Sequence, residues 1–138
     1  LDAGQVLIVR EETSNVDEVE DLDGQKVGAQ IGTTGAIYVG NVEGVELKVY
    51  DELGFAIEDL ANGRLSGVVA DTPIAADYVL MNDTYKGKLK IVGEPFTDEQ
   101  YGVAVKKGNT EVLEMVNAGL KKVIEDGTVE ELKDKWLR

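Results

Sequence analysis

The sequence predicts an α/β fold: a mostly parallel five-stranded sheet with helices on both faces, followed by two C-terminal helices. Three observations predict it. Short apolar or alternating runs recur between segments of helical spacing, and that alternation is the mark of crossover units. One run, Gly67-Val68-Val69-Ala70, has no polar alternation, which suits a strand buried on both faces. The end of the chain changes character and carries two amphipathic stripes in succession.

The elements follow in order. Val6-Leu7-Ile8-Val9 reads as a strand. The acidic stretch 17–23 contains VEDLDG, a short helical turn closed by Gly24. Residues 26–30 form a second strand, and a helix opens over 34–39. Glu46-Leu47-Lys48-Val49-Tyr50 alternates and reads as a strand. Leu53, Ala56, Ile57 and Leu60 then fall on one helical face, and Asn62-Gly63 ends that helix. After the 67–70 strand, Thr72 is the expected N-cap and Pro73 the first helical residue, with the helix running to about Met81. Residues 89–92 and 101–105 are expected as further strands. Val112, Met115, Val116, Leu120, Val123 and Ile124 make one stripe, stopped by Gly127. Thr128-x-x-Glu131 reads as a capping box, and Val129, Leu132, Trp136 and Leu137 line a last helix.

Composition narrows the function. At 138 residues the chain is one domain's worth. A formal charge of −13 repels DNA, RNA and anionic lipid, so no nucleic-acid partner is expected. With neither cysteine nor histidine, disulfides, thiol nucleophiles, imidazole bases and nearly all zinc or haem sites drop out. No metal, cofactor or catalytic group is expected. No apolar run approaches the ~18 residues of a membrane span. The chain opens on Leu1 without a signal-peptide pattern, which suggests that it was processed or cut from something longer.

Two places could carry chemistry. In open α/β sheets, ligands bind beyond the carboxyl ends of the strands. The loop Gly32-Thr33-Thr34-Gly35 follows a strand and precedes a helix, so it offers backbone N–H groups and hydroxyls to an anion. Asp71 ends the most apolar strand just before a helix start and would favour a cation. Taken alone, the loop could be an ordinary turn and the aspartate an ordinary cap. As a pair on one rim they suit a zwitterion, an α-carboxylate beside an α-ammonium. The P-loop pattern is absent, because no lysine follows Gly35. A flavodoxin-like phosphate loop would follow the first strand, whereas this one follows the second. The acidic run from Glu11 to Asp21 lacks metal-loop spacing and reads as a solvated face.

These residues resemble the family 3 extracytoplasmic solute-binding proteins of polar amino-acid ABC importers. LDAGQVLIVR looks like that family's first hinge crossing, and VEDLDGQKVGAQIGTTG like its "DL-G-K-V-V-Q-G-T" segment. AIEDLANGRLSGVVADTPIA is similar to "L-GR-DAVV-D", and the run from Glu99 to Leu137 to the C-terminal signature. The resemblance covers essentially the whole chain but lacks most of the family's first lobe. It implies one lobe of a type II periplasmic binding protein: residues 1–103 as the second lobe with its hinge strands, and 104–138 as the tail that returns to the first.

The resemblance also implies roles. Thr33, Thr34 and Gly35 would hold the ligand carboxylate, Asp71 the ammonium, and Gln30 would line the pocket. The ligand would be a polar or basic amino acid such as arginine or glutamine, the location periplasmic or extracytoplasmic, and the further partners the membrane subunits of an ABC importer. Two alternatives are a dehydratase-like enzyme of the same fold and a fragment without retained binding. The two terminal stripes need a cover, either their own sheet or a second copy, and a homodimer through these helices is the expectation.

Overall fold

The computed structural model describes residues 2–137. Leu1 and Arg138, the outer ends of the two expected segments, lie outside the described residues. The main sheet comprises β2 (Gln5–Arg10), β3 (Lys26–Gln30), β4 (Glu46–Tyr50), β5 (Gly67–Asp71) and β6 (Leu89–Val92), in the order β4-β3-β5-β2-β6. Both β4 and β5 run parallel to β3, whereas β2 runs antiparallel to its neighbours β5 and β6. The sheet is therefore mixed, with one reversed strand inside it. The reversal is local: β2 enters from the opposite end, through the short strand β1 (Asp2–Ala3), which pairs antiparallel with β7 (Glu99–Gln100).

The central strands bury both faces. Val6 and Ile8 of β2 join a layer with Leu53, Ala56, Ile57 and Leu60 of α2 (Leu53–Ala61). Leu7 and Val9 face the other way, towards Val19, Leu22 and Val39, which lie on a 3-10 turn (Val19–Leu22) and on α1 (Thr34–Gly40). This two-residue period with both faces apolar is why β2 and β5 read as continuous hydrophobic runs. Arg10 fixes the layers from the side, donating to the carbonyls of Leu60 (2.9 Å) and Leu65 (2.6 Å). Gly67 permits a close approach of the layers: a Cβ there would meet Leu7 Cδ1 at 2.8 Å and Leu22 Cδ1 at 2.9 Å.

Three local expectations are corrected. Residues 101–105 form no strand; only Glu99 and Gln100, just before them, find a partner strand. Asp71, not Thr72, sits at the N-cap position of α3 (Thr72–Ala76), and the Thr72 hydroxyl instead donates to the carbonyl of Gly4 at 2.8 Å. The helix then continues through a π-helical turn, Asp77–Met81. At the other end, Gly127 caps α5 (Thr128–Trp136) in the left-handed conformation, φ 83°. Thr128 makes no capping box; its N–H and hydroxyl both donate to Asp126. The preceding helix, α4 (Thr110–Glu125), opens on Asn109, whose side chain accepts from Val112 N.

No residue of α4 or α5 is buried. Met115 stays 68% exposed and Ile124 62%, so the stripes are not covered by folding back onto the sheet. Among the described residues, no helix is long and apolar enough to cross a membrane.

Candidate functional site

The carboxyl ends of β3 and β5 lie side by side, which brings the two sequence-derived features together. A cavity of about 50 Å³ opens there, lined by Gln5, Gln30, Thr33, Leu53, Val69, Ala70, Asp71 and Ile74. Its size admits a head-group or one or two waters, given the ~30 Å³ share of a water in the liquid. Gln30, Thr33 and Asp71 all reach it, as their positions in the sequence suggest. Thr34 does not line it; it is exposed on the first turn of α1. Gly35 is buried just behind, where a Cβ would meet Gln5 Oε1 at 2.6 Å and Val69 Cγ1 at 2.8 Å. Only glycine lets the loop sit this close to β2 and β5.

The loop is held by its own polar groups. The Thr33 hydroxyl donates to the Gln30 carbonyl at 2.7 Å and accepts from Ala36 N at 3.2 Å, capping α1. Gln30 Nε2 donates to the Asp51 carbonyl at 3.1 Å, and Ile31 N donates to the Tyr50 carbonyl at 2.9 Å. The Thr33 proton is thus committed. With Ala36 N also taken, what the loop can still direct at an anion is the backbone of Thr34 and Gly35, whose N–H groups have no acceptor within the helix.

Asp71 is only partly buried, and each of its oxygens has a donor. Gln5 Nε2 donates to Oδ1, and the Tyr101 hydroxyl donates to Oδ2 at 3.2 Å. Partial burial, then the neighbouring Asp71 and Glu99 carboxylates, push the Tyr101 phenol above its ordinary range. Gln5 Nε2 also lies 3.4 Å from Glu99 Oε2. The sequence reading missed Gln5, Glu99 and Tyr101. A lone amide at the head of the apolar run 6–9 was the available signal, since a buried amide must find partners.

A larger hollow, about 1020 Å³, lies between β6, the π-helical turn and the end of α5. Its walls mix Lys86, Lys90 and Lys133 with Glu11 and Glu94, and none of the sequence-derived residues lines it. The chemistry favours the smaller cavity. Among the described residues, no group of three acidic side chains is placed to hold a metal ion.

Known proteins resemble the chain along its whole length. The profile of the bacterial extracellular solute-binding proteins, family 3, matches residues 1–138. The L-cystine-binding protein TcyJ of Escherichia coli (strain K12) is 34% identical over 134 residues, covering 96% of this chain and 49% of TcyJ. The putative ABC transporter arginine-binding protein 2 of the same strain is 38% identical over 126 residues, covering 87% and 50%. A solved structure described as an ancestral arginine-binding protein bound to glutamine superposes with a TM-score of 0.75 at 40% identity, covering 99% of this chain and 60% of that one. The chain spans about half the length of the curated relatives it matches.

Proposed function

We propose that this chain, which belongs to the bacterial extracellular solute-binding proteins of family 3, carries the half-site for the backbone groups of a free amino acid. One observation carries the reading: one small cavity joins an aspartate at the end of β5 to Thr33, the N-cap of α1. Asp71 takes the α-ammonium through Oδ2. The backbone N–H groups of Thr34 and Gly35 take the α-carboxylate, with Thr33 fixing the loop and Gln30 lining the wall. The two charge preferences lie on one rim, which a zwitterion satisfies and a phosphate or a simple cation does not.

Relatives named for cystine and arginine, and an arginine-binding protein solved with glutamine bound, support a polar or basic amino acid, with arginine and glutamine as the first ligands to test. All three are binding proteins by name, which supports ligand capture over the dehydratase alternative. The same kinship supports an extracytoplasmic location and delivery to the membrane subunits of an ABC importer. The expected homodimer gains no support from these relatives and is not part of the reading.

The test is titration calorimetry against the twenty amino acids, followed by Asp71→Asn. The cavity encloses a head-group only, so the 138-residue chain should bind in the millimolar range, about 4 kcal/mol. Asp71→Asn should abolish binding, because a neutral amide does not offset a desolvated ammonium; hydrogen bonds to charged groups are worth about 1.5–3 kcal/mol. Unchanged affinity in that variant would sink the assignment.

A further inference from the structure

We infer that Gln5 is the positioning residue of this site: its carboxamide holds Asp71 and couples it to Glu99, so that the cation-binding carboxylate and the β1–β7 crossing behave as one unit. The inference rests on the proposed role of Asp71 but adds a residue and a connection to it.

Gln5 is 1% exposed at the point where β1 passes into β2. Its Nε2 faces two carboxylates, donating to Asp71 Oδ1 and lying 3.4 Å from Glu99 Oε2. Its backbone closes the other side. Gln5 N donates to Thr97 Oγ1 at 2.8 Å, Thr97 Oγ1 donates to Glu99 Oε1 at 3.1 Å, and Phe96 N donates to the Gln5 carbonyl at 3.0 Å. A closed circuit therefore runs from Asp71 through Gln5 to Glu99 and Thr97, and back to Gln5. The end of β5 and the segment that returns beside β1 meet in one side chain.

The chemistry requires an amide here. A carboxylate at position 5 would face Asp71 and Glu99 with no proton to share, and an aliphatic side chain would leave both acids without their common donor. The orientation of the amide is fixed by the same argument. Reversed, it would aim its oxygen at two carboxylates. As it stands, Oε1 is buried against Gly35 with no partner among the described residues. The acids, not Oε1, thus set which way the amide faces. With Oδ1 held by Gln5, the oxygen left to exchange donors is Oδ2. Its present partner is the Tyr101 hydroxyl on a half-exposed side chain just past β7.

The experiment is amide hydrogen exchange by NMR on the whole, ligand-free chain, comparing wild type, Gln5→Glu and Gln5→Leu at about pH 7 and about pH 5. The titratable groups facing position 5 are Asp71 from β5, Glu99 from β7 and Tyr101 beyond it. In Gln5→Glu at about pH 7, protection factors over residues 3–5 and 96–100 should fall at least tenfold, while the β2 core amides of Leu7 and Val9 hold. Burial and two facing carboxylates raise the pKa of a Glu at position 5, so at about pH 5 the protonated Glu becomes a donor and protection should return to within threefold of wild type. Gln5→Leu should lose protection at both values. Wild-type protection in Gln5→Glu at about pH 7, or an equal loss at both pH values, would overturn the inference and leave Gln5 a packing residue. If Gln5→Leu fails to fold, the two Gln5→Glu measurements still decide. A parallel arginine titration should show at least fivefold weaker binding in Gln5→Leu. Equal affinity overturns the positioning role. No binding of any of the twenty amino acids by the wild type rejects the amino-acid reading instead, and the exchange data then decide the circuit on their own.

Discussion

The sheet domain and the C-terminal helices are built from similar apolar content, yet they treat it oppositely. In the sheet domain Leu7, Ile8, Val9, Ile57 and Leu60 are fully buried, because each layer of side chains meets another across β2, β3 and β5. In α4 and α5 an equally clear stripe meets nothing of comparable size, and Met115, Ile124 and Trp136 stay half exposed or more. Amphipathic spacing makes a helix with a face. Whether that face stabilises anything depends on a second surface, since most helical stability in proteins comes from packing and not from propensity. The two regions should therefore answer to different perturbations.

The sharpest contrast is a matched pair of truncations. Ile8→Ala empties a site with no exposed surface and should cost about 2–5 kcal/mol, read as a fall in the urea midpoint. Ile124→Ala removes the same atoms from a side chain that is 62% exposed and should stay within about 0.5 kcal/mol. Comparable losses at both sites would mean that the stripe on α4 is packed in solution, and the contrast between the regions would fail.

Glycines sharpen the same contrast with opposite signs. Gly35→Ala must push aside Gln5 Oε1 and Val69 Cγ1, both under 3 Å from the new methyl, in a buried wall of the cavity. Overpacking of this kind costs about 1–3 kcal/mol. Gly119 lies within α4, where a Cβ would meet nothing within 4 Å. Gly119→Ala should therefore firm the helix by about 0.5–1 kcal/mol, seen as slower amide exchange over residues 115–123 with no change in the global midpoint. A stabilised global transition in Gly119→Ala would show that α4 unfolds together with the sheet.

The same difference explains what the sequence could disclose. Buried periodicity is dense information, so β2 to β6, α1 and α2 appear close to where the alternation and the 3.6-residue spacing put them. Asp71 and Thr33 were legible as a pair because both end strands of one sheet, and topology brings such ends together. Gln5 was not, because its importance lies in partners 66 and 94 residues away. Residues 101–105 failed for a related reason. Tyr101, Val103 and Val105 alternate as a strand does, but a strand exists only against a neighbour, and among the described residues none pairs with them. Thr72 and Thr128 were misplaced by one helical position. Pro73 lies in the first turn of α3 and Gly127 between the two terminal helices, yet the residue that occupies the cap is settled by competing bonds to Gly4 and Asp126.

The smallest expected effect compares one carboxylate from each region, and both titrate in the same direction. Asp59 accepts from the Tyr50 hydroxyl at 2.7 Å and from Arg64 at 3.0 Å, with Lys48 at 3.6 Å. The Tyr50 bond first, then Arg64, holds its carboxyl below the ordinary value. In the tail, Asp126 is held low by the Thr128 hydroxyl and then by its N–H. A group whose folded pKa is depressed contributes stability above its unfolded value, about 3.9 for Asp, and loses it as pH falls through the folded value. Both contributions should therefore be complete at pH 6 and should fade below about pH 4. Tyr50 ties Asp59 to the sheet, so Asp59→Asn should flatten the acid limb of the global urea midpoint between pH 6 and pH 3. Asp126→Asn keeps an oxygen that can still accept from Thr128. It should leave the global limb untouched and flatten only the acid fraying of the first turn of α5, read from amide exchange at residues 128–131. If Asp126→Asn shifts the global midpoint at any pH in that window, the hairpin of α4 and α5 is coupled to the sheet after all, and its stripe has found a partner.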